Sequence, residues 1–128
     1  MTTPVLDASA ILALLYREPG HDVVAGHLAD AVVSAVNWSE VVQKLAQRGH
    51  PSPEGAANGL LSLGVRVALF DERDAVAAAK LWPTTRSAGL SLGDRACLAV
   101  ASNLSGVAVT ADQAWAELDL AVPIQLIR

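Results

Sequence analysis

The chain has 128 residues, a length that fits one domain able to bury roughly two-thirds of its unfolded surface. Hydrophobic residues make up 52% and charged residues 17%, which excludes disorder, and with aromatics at 4% the interior must be built from Ala, Val, Leu and Ile. The net charge of -4, from 13 acidic and 9 basic side chains, provides no overall positive field for a polyanion.

In chain order, short β-branched segments alternate with helical patterns. "PVL" (4–6) is a predicted strand, followed by a helix over "ASAILALLY" (8–16) and another over "HDVVAGHLA" (21–29). "AVVSAV" (31–36) is the second strand, with helices over "WSEVVQKLAQR" (38–48) and "PEGAANGLLSL" (53–63) after it. "VRVALF" (65–70) is the third, trailed by "ERDAVAAAKLW" (72–82), the irregular stretch "PTTRSAG" (83–89) and the helix "LGDRACLAVASNL" (92–104). "VAVT" (107–110), the short helix "DQAWAEL" (112–118) and the strand "VPIQLI" (122–127) complete the series. Such alternation implies an α/β fold with a central parallel sheet of about five strands flanked by helices. Gly49 and Gly106 stand where C-caps are expected, and Ser52 with Pro53 where a helix should begin. No repeat or linker divides the chain, so one domain over residues 1–128 is expected.

No stretch reaches the roughly 18 apolar residues of a membrane span, and "MTTPV" lacks a basic segment leading into a hydrophobic one. The single cysteine, Cys97, sits among apolar residues and is expected to pack rather than react. A cytoplasmic protein without membrane contact is the expectation.

The acidic residues stand out by position. Asp7 interrupts "VLDASAILALL" (5–15), a run apolar enough to be core, where an ionised carboxylate without a partner costs several kcal/mol. Glu40 falls in the helix after the second strand, Asp94 opens "LGDRACLAV", and Asp112 follows "VAVT". Strand C-termini of a parallel sheet share one edge, the edge where ligands bind, so these four carboxylates from distant parts of the chain can converge. Each also has a local role open to it. Asn37 and Glu40 have capping-box spacing, as do Ser91 and Asp94, Glu40 precedes Lys44 by four residues, and Asp112 can cap the helix behind it. Against the purely local reading, helical projection puts Asp94 on the face of Leu98 and Ala101.

Magnitudes then constrain the company these groups keep. Two carboxylates about 5 Å apart repel by roughly 3 kcal/mol at an effective dielectric of 20, so all pairs among four would approach roughly 20 kcal/mol. A domain is stable by only about 5–15 kcal/mol. The cluster must therefore be spread out, hold protons or hold a cation, and all-oxygen ligation favours Mg²⁺ or Mn²⁺. Carboxylate-held Mg²⁺ suits phosphodiester hydrolysis, because the ion neutralises phosphate charge and activates water. His21, His27 and His50 lack ligand spacing and belong at surfaces or helix ends.

Taken in order and spacing, "VLDASAILALL", "AVNWSEVV", "LSLGDRACLA" and "TADQAW" resemble the PIN-domain ribonucleases, in particular the VapC toxins of bacterial toxin–antitoxin pairs. The resemblance spans almost the whole chain. It implies a Mg²⁺- or Mn²⁺-dependent endoribonuclease with Asp7, Glu40, Asp94 and Asp112 as catalytic metal ligands and Ser9 and Thr110 as hydroxyls near metal and phosphate. Ser9 either orients a metal-bound water or makes a helix-start hydrogen bond, and Asn37 either bonds to the site or caps its helix. Arg17, Arg86 and Arg95 are candidate phosphate contacts, with Arg95 alternatively paired to an acid. Where some relatives carry a further acid after the position of Asp112, this chain has Gln113, Ala114 and Trp115, which weakens a second protein-bound metal. The resemblance also implies an RNA substrate, a homodimer and a VapB-like antitoxin that puts an arginine into the acidic pocket. Trp38, Trp82 and Trp115 either line the groove for that partner or pack in the core.

Other readings compete. A catalytically inactive PIN-like domain would bind RNA or a partner without cleaving. A haloacid-dehalogenase-like phosphatase also ends its first strand in aspartate, but wants a second acid where Ser9 stands. Phosphate-binding glycine loops, serine-nucleophile motifs and paired-cysteine metal signatures are absent.

Overall fold

The computed structural model describes residues 2–128. Its five strands are β1 (Pro4–Leu6), β2 (Val32–Ser34), β3 (Arg66–Ala68), β4 (Val107–Thr110) and β5 (Ile124–Leu126). They form one all-parallel sheet in the order β3-β2-β1-β4-β5. Seven α-helices flank it: α1 (Ala8–Tyr16), α2 (His21–Ala25), α3 (Ala35–Gln47), α4 (Pro53–Ser62), α5 (Glu72–Lys80), α6 (Trp82–Thr85) and α7 (Leu92–Asn103). This is the expected α/β architecture with the expected strand number.

Side chains alternate across a strand, and the alternation builds two cores. Leu6, Val33 and Val109 face one layer, where Ile11, Leu12, Val41, Leu45 and Leu60 cover them. Val5, Val32 and Ala108 face the other, against Cys97, Leu98, Ala101 and Trp115. Both faces are buried, so the strands read as continuous apolar runs. The chain steps outward from β1 to β3 and then crosses back through α5, α6 and α7 to β4 on the other side of β1. Strand order therefore reverses between β1 and β4, and a crevice opens beyond their C-terminal ends.

Several boundaries differ from the sequence reading. The second strand stops at Ser34, whose hydroxyl accepts the Val36 N–H and caps α3, so Asn37 is buried inside the helix rather than capping it. The stretch 83–89 is not irregular: Pro83 stands at the first turn of α6, the Thr85 hydroxyl donates to the Leu81 carbonyl at 2.8 Å, and a 3-10 turn covers Arg86–Ala88. After α7 the left-handed residue is Ser105 (φ 49), not Gly106. Gly106 is required for space, since a Cβ there would stand 2.5 Å from the Thr3 carbonyl oxygen. Gly49, with φ 77, does follow α3 as a left-handed terminator.

Candidate functional site

Asp7 leaves the C-terminal end of β1 and caps α1, accepting the Ala10 N–H at 2.8 Å on Oδ1. The Ser9 hydroxyl donates to the same oxygen at 2.7 Å, and the Thr110 hydroxyl, from the end of β4, donates to Oδ2 at 2.6 Å. The carboxylate thus bridges β1 and β4 at the reversal. Ser9 in turn accepts the Ala111 N–H and Thr110 accepts the Asp112 N–H, so both hydroxyls are held from two sides. Asp7 is 3% exposed, and burial pushes its pKa up to about 6. The bonds from Thr110, Ala10 and Ser9 pull it down, and the nearby charge of Asp94 adds to the rise.

Asp94 occupies the first turn of α7 in the expected capping box, where its Oδ2 accepts the Ser91 N–H at 2.9 Å and its own N–H donates to Ser91 Oγ. Glu40 reaches the same place from α3. Asn37 Nδ2 donates to Glu40 Oε1 at 2.8 Å and to the Gly93 carbonyl at 2.9 Å, tying α3 to the start of α7. The Glu40 carboxylate lies against the α-carbon of Gly93, the residue before Asp94. Beneath them Cys97 is fully buried; burial pushes its thiol pKa well up, and the charges of Asp7, Asp94 and Glu40 push it further. Three of the four acids, Asp7, Asp94 and Glu40, are therefore near enough to Cys97 for their charges to act on it.

Asp112 is placed differently. It is exposed, caps the short turn Gln113–Glu117 through the Ala114 N–H, and touches the network only through its backbone bond to Thr110. Glu40 forms no ion pair with Lys44, because its carboxylate is turned toward Asn37 and Gly93. The arginines are dispersed. Arg17 ends α1, at the opposite end of the helix from Asp7. Arg95 donates to the Ala78 carbonyl at 3.1 Å instead of to an acid, and its Nε is buried without a partner. Arg86 lies over the Trp82 ring, 5.0 Å from the centroid. Trp115 is in the core and Trp82 is half-exposed.

Gly93 is the participant that sequence reasoning missed. Its signal is a residue without a side chain in the turn that delivers Asp94, but the partner it makes room for is more than fifty positions away.

The donor set consists wholly of oxygen, which suits a hard divalent ion. Among the described residues, no three of His, Cys, Asp and Glu lie close enough to hold an ion together. The groups therefore fit an ion of the Mg²⁺ kind, taken by one or two carboxylates and otherwise by water and substrate. Asp7, whose pKa burial pushes up to about 6, is the group whose charged form such an ion would favour.

The family model of the PIN domain matches residues 5–120. The chain belongs to the PIN domain family. No curated protein matches it. Among solved structures, this PIN domain is similar to VapC20 of Mycobacterium tuberculosis, a sarcin–ricin loop cleaving toxin, with TM-score 0.77 and 21% identity over 90% of this chain and 94% of that one. It is also similar to a toxin–antitoxin complex from Klebsiella pneumoniae, with TM-score 0.74 and 16% identity over 98% of both chains. VapBC2 of Rickettsia felis, bound to a promoter DNA fragment, gives TM-score 0.72 and 11% identity over 96% of this chain and 97% of that one. At these identities the likeness is one of fold. Among the described residues of the PIN domain, no helix is long and apolar enough to cross a membrane.

Proposed function

We propose that this PIN domain is a Mg²⁺- or Mn²⁺-dependent endoribonuclease and the toxin of a toxin–antitoxin pair, with RNA as substrate. The observation that carries the reading is Asp7, buried at the β1–β4 reversal and hydrogen-bonded through both oxygens, with the charge of Asp94 beside it. Solved toxin–antitoxin proteins of the same fold support it.

In this reading Asp7 and Asp94 would hold the metal, with Glu40 and the exposed Asp112 as the further acidic groups of the site. A bound divalent ion supplies neutralisation of phosphate charge and a more acidic water. The chain's own contribution is positioning. Ser9 and Thr110 fix the Asp7 carboxylate in one rotamer, Ser91 holds Asp94 by one oxygen, and Asn37 keeps Glu40 at the entrance. A VapB-like antitoxin that inserts an arginine would relieve the same repulsion and block metal or phosphate. Homodimerisation and action in the cytoplasm belong to the same proposal.

The test is cleavage of total RNA with Mg²⁺ or Mn²⁺, with EDTA and Asp7→Asn as controls. Metal-dependent cleavage lost in both controls supports the reading. RNA binding without metal-dependent cleavage would transfer the assignment to an inactive PIN-like binding domain, the alternative favoured by the absence of a gathered three-acid cluster among the described residues. Phosphate release from a small monoester, with RNA left intact, would point to phosphatase chemistry.

A further inference from the structure

Helix α5 runs antiparallel to α7. Near the start of α5, Asp74 accepts from Asn103 at the end of α7; one turn further on, the Ala78 carbonyl accepts from Arg95 at the beginning of α7. The C-terminal end of α5 therefore lies near the start of α7, the end that carries Asp94, and Trp82 and Arg86 stand in the corner that leads from α5 toward that end. The corner is tied down. Thr85 is buried and bonds to the Leu81 carbonyl through both its N–H and its hydroxyl, Leu90 N–H returns to the Thr85 carbonyl, and Leu81 packs on the core beneath. From this fixed corner, two residues spaced by one helical turn project outward, Trp82 50% exposed with the Arg86 guanidinium stacked over its ring. Between Asp74 and Asp94 the chain carries Lys80 and Arg86 and no acid, although the whole protein has a net charge of -4.

An exposed, pre-stacked aromatic and guanidinium pair on a local stretch of positive charge is the chemistry that takes unpaired bases, because every base offers a π-face and the cation offers N–H groups to the adjoining phosphate. We propose that Trp82 and Arg86 form a stacking platform for one unpaired nucleobase of a single-stranded RNA whose backbone passes the Asp7–Asp94 crevice. This rests on the ribonuclease reading and adds to it a subsite that holds substrate without touching the reacting phosphate. It also explains why a large indole is left half-exposed on a rigid corner.

The test compares wild type with Trp82→Ala, Trp82→Phe and Arg86→Ala, using a single-stranded RNA of about 12 nucleotides. Trp82→Ala is expected to raise KM about tenfold with kcat within about twofold, and Trp82→Phe to keep most of the affinity, since a phenyl ring still stacks. Arg86→Ala should raise KM and flatten its dependence on salt. A second readout is free of catalysis: RNA added to the Asp7→Asn protein should quench tryptophan emission, and the quench should vanish when Trp82→Phe is added, because Trp115 is buried and Trp38 is not on this corner. Wild type that cleaves RNA while Trp82→Ala keeps its KM and the quench survives Trp82→Phe would overturn the platform and leave the nuclease standing. A Trp82→Ala protein that changes from dimer to monomer in sedimentation at unchanged KM would overturn it in favour of a self-association face. Wild type that neither binds nor cleaves RNA would overturn both readings.

Discussion

A methyl group built on the α-carbon of Gly93 would stand 2.5 Å from Cδ of Glu40 and 2.7 Å from its Oε2. The bare backbone at this one helical position is what allows an acid from α3 to sit beside the acid of α7. Gly93→Ala therefore separates stability from function. The end of a flexible side chain can move aside cheaply, and alanine gains up to about 1 kcal/mol over glycine inside a helix. The melting temperature is expected to hold or rise in a thermal scan. Divalent-metal affinity by calorimetry, and RNA cleavage, are expected to fall about tenfold, a change of about 1.4 kcal/mol.

Asp7 makes stability depend on pH in an unusual direction. Its pKa in the fold is about 6, above the ordinary 3.8, so between these values the folded state binds more protons than the unfolded one. The stability linked to this group is complete below about pH 4 and is lost as pH rises through 6, by about 3 kcal/mol at most. Asp7→Asn is expected to raise the melting temperature by several degrees at pH 8 in chelator and to have little effect at pH 4, while abolishing cleavage. A variant that melts lower at pH 8 would contradict the burial of an ionised group.

Thr110→Val probes the same carboxylate from the other strand. The hydroxyl donates to Asp7 Oδ2 at 2.6 Å and favours the charged form. Its loss should push the Asp7 pKa further up and cost about 1.5–3 kcal/mol at pH 7, as expected for a hydrogen bond to a charged group. The penalty should shrink at pH 4 and in an Asp7→Asn background. Urea denaturation of the two single variants and the double variant gives the coupling directly.

Asn37→Ala removes both Nδ2 donations, leaving the buried Gly93 carbonyl without this partner and Glu40 untethered. A loss of about 1–3 kcal/mol is expected in denaturant unfolding, together with weaker metal binding. Asn37→Asp should be worse, because a second carboxylate would face Glu40 and a carbonyl oxygen.

The strands, their parallel pairing and the position of Asp7 were legible because both sheet faces are buried and a lone carboxylate in such a run is conspicuous. The Ser91–Asp94 capping box was legible because it is local. The start of α3 was not. "AVVSAV" is valine-rich on both sides of Ser34, and nothing within it marks Ser34 as the residue that turns strand into helix. That boundary left capping open as a role for Asn37, and the bridge to Gly93 could not be read from it. Similarly, the Glu40–Lys44 spacing suggested a surface pair, while the carboxylate takes a partner across the helix interface that no local pattern encodes. The stretch 83–89 read as loop from its Pro, Thr and Gly content, although proline at a first turn starts a helix as readily as it ends one.

Cys97 lies wholly buried beneath Asp7, Asp94 and Glu40, and both its surroundings and their charges keep the sulfur protonated. A maleimide or disulfide reagent can modify it only in molecules whose acidic edge has opened. The single thiol is thus a built-in clock: its labelling rate reports how often that edge comes apart, and any cation that knits the carboxylates together should slow it.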